Sequence, residues 1–187
     1  MENEDVMCDG EIELSDRAKS LWGKTNRVDD TEWLPLYVHM ADSAAMAARI
    51  WDTWVPYGTK SIISRDLGND DDLARKLMIF LAGVHDIGKA TPVFQAKPIS
   101  FGPDAESLVW KPEQAGLPMI AGLRDTSHPT HPIAGQVILE RYFSLVHKWG
   151  GRESRQYACV VGGHHGTPPD KSKLESARLG KTESGLD

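Results

Sequence analysis

Cysteine is scarce in this chain. Cys8 and Cys159 are the only two in 187 residues, far apart and without a CxxC pair, which argues against a disulfide framework and against a cysteine-built zinc site. No stretch approaches the roughly 18 consecutive apolar residues of a membrane span, and the acidic start lacks the basic-then-apolar order of a signal peptide. These absences describe a cytoplasmic protein with no membrane partner. Two-residue alternation of useful length is missing too, as is any internal repeat, which leaves an all-α chain. Positive charge is also short, with 21 Lys and Arg against 27 Asp and Glu, a net −6 that speaks against a polyanionic partner. The position of that excess matters more than its size. Residues 1–35 hold ten acids and four bases, whereas the remaining 152 hold seventeen of each. The body of the chain is therefore neutral.

What is present suits one globular domain, with 40% hydrophobic residues and an ordinary length. Residues 1–20 read as an acidic N-terminal tail, aperiodic over 1–13, and residues 21–187 as the domain. After Pro35, Val38, Ala41, Ala45, Met46, Ala48 and Ile50 recur at helical spacing in an alanine-rich segment that ends near Pro56-Tyr57-Gly58. Asn69 to Asp72 offer an N-cap and first-turn acids for a second helix striped by Leu73, Leu77, Met78, Leu81 and Val84, and stopped by Gly88 and Pro92. From Pro92 to Pro132 seven prolines and three glycines interrupt any period, which predicts a long, mostly irregular excursion. Pro132 opens a third helix that runs to Gly150-Gly151, and a fourth covers Glu153 to Val161 before Gly162-Gly163. The polar stretch after Pro169 reads as a loop or tail.

The chemistry lies in the histidines. Of seven, His39 falls early in the first helix, His85 beside Asp86 at the end of the second, His131 at the start of the third, and His164-His165 just past the fourth. Helix ends that converge in this way can build a metal site from inward-facing side chains, and imidazole with carboxylate suits divalent transition metals. Adjacent His85 and Asp86 cannot point the same way, so the pair could serve two neighbouring ions, an arrangement that clamps both oxygens of a phosphoryl transfer. Taken singly, each signal has a plainer reading. A lone helical histidine is commonly a half-buried side chain with one hydrogen bond, a reading that His128 and His147 keep, and Gly83, Gly88 and Gly162-Gly163 could be helix C-caps. The ordered set is what chance explains poorly.

The order His39, His85-Asp86-Ile87-Gly88-Lys89, His131, Gly163-His164-His165-Gly166 resembles the HD superfamily of metal-dependent phosphohydrolases. More narrowly it is similar to the N-terminal HD nuclease domains of CRISPR-associated helicase-nucleases of type I systems. Leu21-Trp22-Gly23-Lys24, the run from Leu34 to Ala44, and Lys89-Ala90-Thr91-Pro92-Val93-Phe94-Gln95 extend the likeness from about Leu21 to Pro169, and the tryptophan-lysine opening suggests the I-E subtype. The resemblance implies an all-α HD-domain helical bundle that degrades single-stranded DNA for antiviral defence, after the Cascade complex has opened the duplex. It implies docking on the Cascade large subunit, a helicase portion in the same polypeptide, and action as a monomer. It also implies two divalent transition-metal ions, manganese, iron, cobalt or nickel. His39, His85 and Asp86 would hold one ion, and Asp86, His131, His164 and His165 the other, while Lys89 would face the scissile phosphate and stabilise its developing charge. Such domains add an aspartate to the first ion from a helix well downstream of the His-His pair. Only 22 residues follow His165 here, which suggests a domain cut short and impaired at that site.

The expected reaction is phosphodiester hydrolysis with Asp86 and Lys89 as its catalytic groups. DNA binding is expected to be weak and independent of sequence, since the neutral body offers no evident basic stripe. Two other readings use the same residues. One is an HD phosphohydrolase acting on nucleotides or cyclic nucleotides. The other is a non-catalytic recruitment module that binds metal for structure alone.

Overall fold

The computed structural model describes residues 13–26, 32–97, 106–117 and 129–179. Nine α-helices and one two-stranded sheet lie among them. The chain enters through α1 (Asp16–Ser20), within the stretch read as tail. Ser15 caps it, accepting from the Ala18 N–H, and Arg17 Nε donates to the Ala115 carbonyl, so this segment is tied to residues about a hundred positions on. Strands β1 (Trp22–Thr25) and β2 (Trp33–Pro35) then pair antiparallel with Trp22 opposite Pro35 and a bulge between Trp22 and Lys24. Strands of four and three residues are too short to show an alternating pattern in sequence.

The helices expected from periodicity form close to their expected bounds. α2 (Leu36–Thr53) starts directly after Pro35, and α4 (Asp71–Gly83) is capped by Asp70, whose carboxylate accepts from the Leu73 N–H. Between them α3 (Tyr57–Asp66) begins where the sequence pattern predicts the end of the first helix and fills a stretch that the periodicity leaves unassigned. α7 (His131–Leu145) and α8 (Gly151–Gly162) form the central pair. Leu139 and Phe143 of α7 meet Ala158 and Val161 of α8 and Leu81 of α4, and burial of each large side chain in this cluster contributes about 1.5–3 kcal/mol.

Two departures bear on the site. The Pro92–Pro132 stretch is not wholly irregular: it contains α5 (Pro92–Gln95) and α6 (Glu106–Gln114). Leu108 of α6 is buried with Phe94 and Trp22 in a second small core that Trp33 covers. Past Pro169 the chain forms α9 (Lys171–Leu179) rather than a loop. Its Leu174 and Ala177 bury against Val137, enough apolar surface to dock a helix that has no other stripe. Cys8 and His128 lie outside the described residues, Cys159 is a free thiol, and His147 sits against Tyr142 and Trp149. No described helix is long and apolar enough to cross a membrane.

Candidate metal centre

Asp86 stands where four helix ends meet. α4 stops at Gly83, after which His85 and Asp86 occupy a turn that continues into a 3₁₀ turn at Ile87–Ala90. Gly88 allows that turn to press on α7: a β-carbon there would stand 1.9 Å from the His131 carbonyl oxygen and 2.5 Å from the Gly135 nitrogen. Gly88 therefore provides close approach rather than a helix cap, and the approach sets Asp86 beside the first residue of α7.

The carboxylate is 4% exposed. Its Oδ2 lies 2.8 Å from His39 Nε2, 2.7 Å from Lys89 Nζ and 3.2 Å from His85 Nε2, while Oδ1 lies 3.3 Å from His131 Nε2 and 3.4 Å from His164 Nε2. Burial pushes the Asp86 pKa up, but the His131 and His85 imidazoles and the Lys89 ammonium against its oxygens outweigh it and hold the group well below the ordinary carboxylate range. Burial lowers His39 and His164 from the usual imidazole value, keeping both rings neutral, whereas the hydrogen bond to Asp86 raises His85.

Backbone carbonyls fix how two of the rings present themselves. His85 Nδ1 is 2.8 Å from the Ala82 carbonyl and His164 Nδ1 is 2.6 Å from that of Val161. A carbonyl only accepts, so each Nδ1 carries the hydrogen and, in a neutral ring, each Nε2 turns a lone pair toward the carboxylate. The Nε2 atoms of His131 and His164 are buried without a hydrogen-bond partner. Buried nitrogens left unpaired beside an anion are unfavourable in the absence of a cation, and that set of groups fits a divalent metal. Two groups of three ligands are close enough to hold one: His39, His85 and Asp86, and His131, His164 and His165. The six residues picked out in the sequence are thus brought together. His165 alone of them is exposed, on a groove of about 420 Å³ that it lines with His131, Lys97 and Lys173.

Lys89, to which the family resemblance gives a phosphate-facing role, is 8% exposed, and its ammonium is engaged by Asp86 and by the Gly23 carbonyl at 2.9 Å. The residue missed in sequence is Gln95, fully buried. Its amide accepts from the Trp22 N–H and donates to the Trp22 and Lys89 carbonyls, while the Trp22 indole donates to the Gln95 carbonyl. This knot sets β1 against the turn that carries Lys89. Asp170, the nearest downstream carboxylate, is exposed and accepts from the Lys173 N–H at the start of α9, outside either ligand group.

Comparison with known proteins agrees with this geometry. Residues 22–185 match the family model described as Cas3, HD domain. The chain is 35% identical over 154 residues to the CRISPR-associated nuclease/helicase Cas3 of Streptococcus thermophilus, covering 79% of this chain and 16% of that one. It is 29% identical over 170 residues to the CRISPR-associated endonuclease/helicase Cas3 of Thermus thermophilus, covering 89% and 16%. A solved structure titled as that of a CRISPR-associated protein superposes with a TM-score of 0.72 at 31% identity over 91% of this chain and 17% of that one. The chain thus spans about a sixth of the length of the relatives it matches.

Proposed function

The chain belongs to the family of Cas3 HD domains, and from that membership and the histidine-aspartate cluster we propose that it is a metal-dependent nuclease domain that hydrolyses phosphodiester bonds of single-stranded DNA. The observation that carries the proposal is the convergence of His39, His85, His131 and His164 on one buried carboxylate, with two imidazole nitrogens left unpaired. His39, His85 and Asp86 would hold one divalent ion and His131, His164 and His165, with Asp86 between, a second. Bound there, such ions supply a water of lowered pKa and positive charge for the phosphoryl oxygens.

The chain's own residues do the rest by positioning. The Ala82 and Val161 carbonyls hold His85 and His164 in the tautomer that ligates. Lys89 holds the same Asp86 oxygen that His39 and His85 face and is itself fixed by the Gly23 carbonyl, which restrains the carboxylate when substrate charge arrives. A strand would reach the site along the groove lined by Lys97, Lys173 and His165, where the lysines offset phosphate charge. In the cell the substrate would be the strand displaced by Cascade, and the nuclease/helicase names of the relatives support its delivery by a helicase portion.

Manganese-dependent cleavage of a single-stranded oligonucleotide, assayed beside mononucleotides and cyclic nucleotides, tests this reading. Cleavage of the oligonucleotide by the wild-type chain and its loss in Asp86→Ala are expected. Turnover of nucleotides alone would assign the site to a phosphohydrolase, and metal binding without turnover would make it a recruitment module.

A further inference from the structure

The opposite end of the α7–α8 pair carries a second polar site. Arg141, Arg155 and Arg178 line a groove of about 380 Å³ with Glu140, Ser144 and Ser154. Three helices contribute, since Arg141 lies near the end of α7, Arg155 in the second turn of α8 and Arg178 in the last turn of α9.

The local charge is not balanced. Glu140 is answered twice, by an ion pair with Arg178 and by the Gln136 amide at 3.0 Å, which uses up the one carboxylate lining the groove. Arg141 and Arg155 form no ion pair among the described residues, so two guanidinium groups remain uncompensated. Ser154 adds an independent sign of a missing partner. It is 1% exposed and lines the groove, yet its Oγ has no hydrogen-bond partner, a state that costs about 1–3 kcal/mol when nothing fills it. α8 begins at the same place without a side-chain cap, leaving its first-turn N–H groups unsatisfied at the positive end of the helix dipole. Glu153, the acid of that turn, lies over Gly150 and is not part of the groove lining.

Guanidinium forks, a hydroxyl and amide N–H groups are all donors. A small, acceptor-rich anion satisfies them together, and bidentate arginine geometry favours a tetrahedral oxyanion. We propose that this groove binds a phosphate group, either of a nucleic-acid strand crossing the α7–α8 pair or of a free phosphate or nucleotide. From Ser154 to Gly162 the helix rises about 12 Å, and His164 lies beyond that end, so one phosphate cannot touch both ends, and the site does not depend on the metal centre.

The test is made in excess chelator, which keeps the outcome separate from that of the nuclease reading. Inorganic phosphate is titrated against backbone amide shifts, and a fluorescent single-stranded oligonucleotide is followed by anisotropy across a range of salt. The wild type is compared with Arg141→Gln/Arg155→Gln and with Ser154→Ala, each checked by circular dichroism and thermal melting. Wild-type phosphate shifts centred on residues 151–155 are expected, weakened about tenfold in the double variant and severalfold in Ser154→Ala. If the source is a strand, oligonucleotide affinity also falls about tenfold in the double variant, and the slope of log K against log salt shrinks by about 1.4. If the source is a free phosphate or nucleotide, oligonucleotide binding holds while the phosphate shifts are lost. Folded variants that bind both probes as the wild type does would overturn the proposal.

Discussion

The two ends of the α7–α8 pair meet anionic ligands with opposite equipment. At the end formed by His131 and His164 the protein supplies lone pairs and a buried carboxylate, and the positive charge has to come from bound ions. At the end formed by Arg141 and Arg155 the protein supplies the positive charge itself, on side chains that remain exposed. The difference follows from burial. A guanidinium is costly to strip of water without a partner, whereas neutral imidazoles pack at modest cost and acquire charge only when a cation arrives. The buried end is accordingly held by backbone hydrogen bonds and glycine contacts, and the exposed end by little more than helix placement.

The largest expected effect separates the two ends by kind. Asp86→Ala should lower manganese-dependent cleavage at least about 10³-fold, the scale of losing several kcal/mol of metal-centred stabilisation, while the arginine double variant changes affinity by only about tenfold. Equal losses in a steady-state assay would erase the distinction. Next comes Gly88→Ala, which drives a methyl into the His131 carbonyl and should cost about 2–3 kcal/mol, or roughly 5–10 °C in melting temperature, with metal binding weakened as well. A melting temperature within a degree of wild type would show that the turn can back away from α7.

How much of this was readable beforehand differs between the two ends as well. The helices that carry the ligands are striped or alanine-rich and bounded by proline, glycine or the Asp70 cap, so α2, α4, α7 and α8 appear in the sequence near their true bounds, and the histidines mark their own convergence. The arginine end was invisible. Its third member rides on α9, where Leu174 and Ala177 are the buried apolar side chains among the described residues, too few to make a stripe in a polar stretch. A charge count of zero for the body also hides local excess, because acids paired elsewhere cancel arginines that are not. α6 went unseen for a related reason. Pro112 lies inside it, near the C-terminal end, and a proline signals a break in a sequence pattern. Gln95 gave no signal because a buried amide earns its place through partners distant in sequence.

Metal loading gives a smaller effect that acts on one end only. Manganese at about a hundred times its dissociation constant should stabilise the protein by about 2.7 kcal/mol, a rise of roughly 5–10 °C that Asp86→Asn removes and Arg141→Gln/Arg155→Gln keeps. The same increment should shrink with acid. His85, raised by Asp86, takes up a proton first as pH falls toward and below 6.5, and ligation requires it neutral. His39 and His164, lowered by burial, follow at lower pH, so an increment measured at pH 6 should be smaller than at pH 8. An increment independent of pH would place the metal away from these rings. The smallest effect belongs to the other end. Without ligand, Ser154→Ala removes an unsatisfied hydroxyl and should leave stability unchanged or raise it by up to about 1 kcal/mol, read from denaturant melts. A loss greater than that would mean the hydroxyl already has a partner.

Gln95 has one further consequence. Its side-chain amide takes both the N–H and the C=O of Trp22, the two groups that a neighbouring strand would use. It therefore serves as a third strand one residue wide. β1 is a short strand with a large aromatic residue at an open margin, the kind of edge on which a second chain can dock and begin to aggregate. A single buried glutamine closes that margin at Trp22, so the residue that steadies Lys89 also guards the sheet against unwanted pairing.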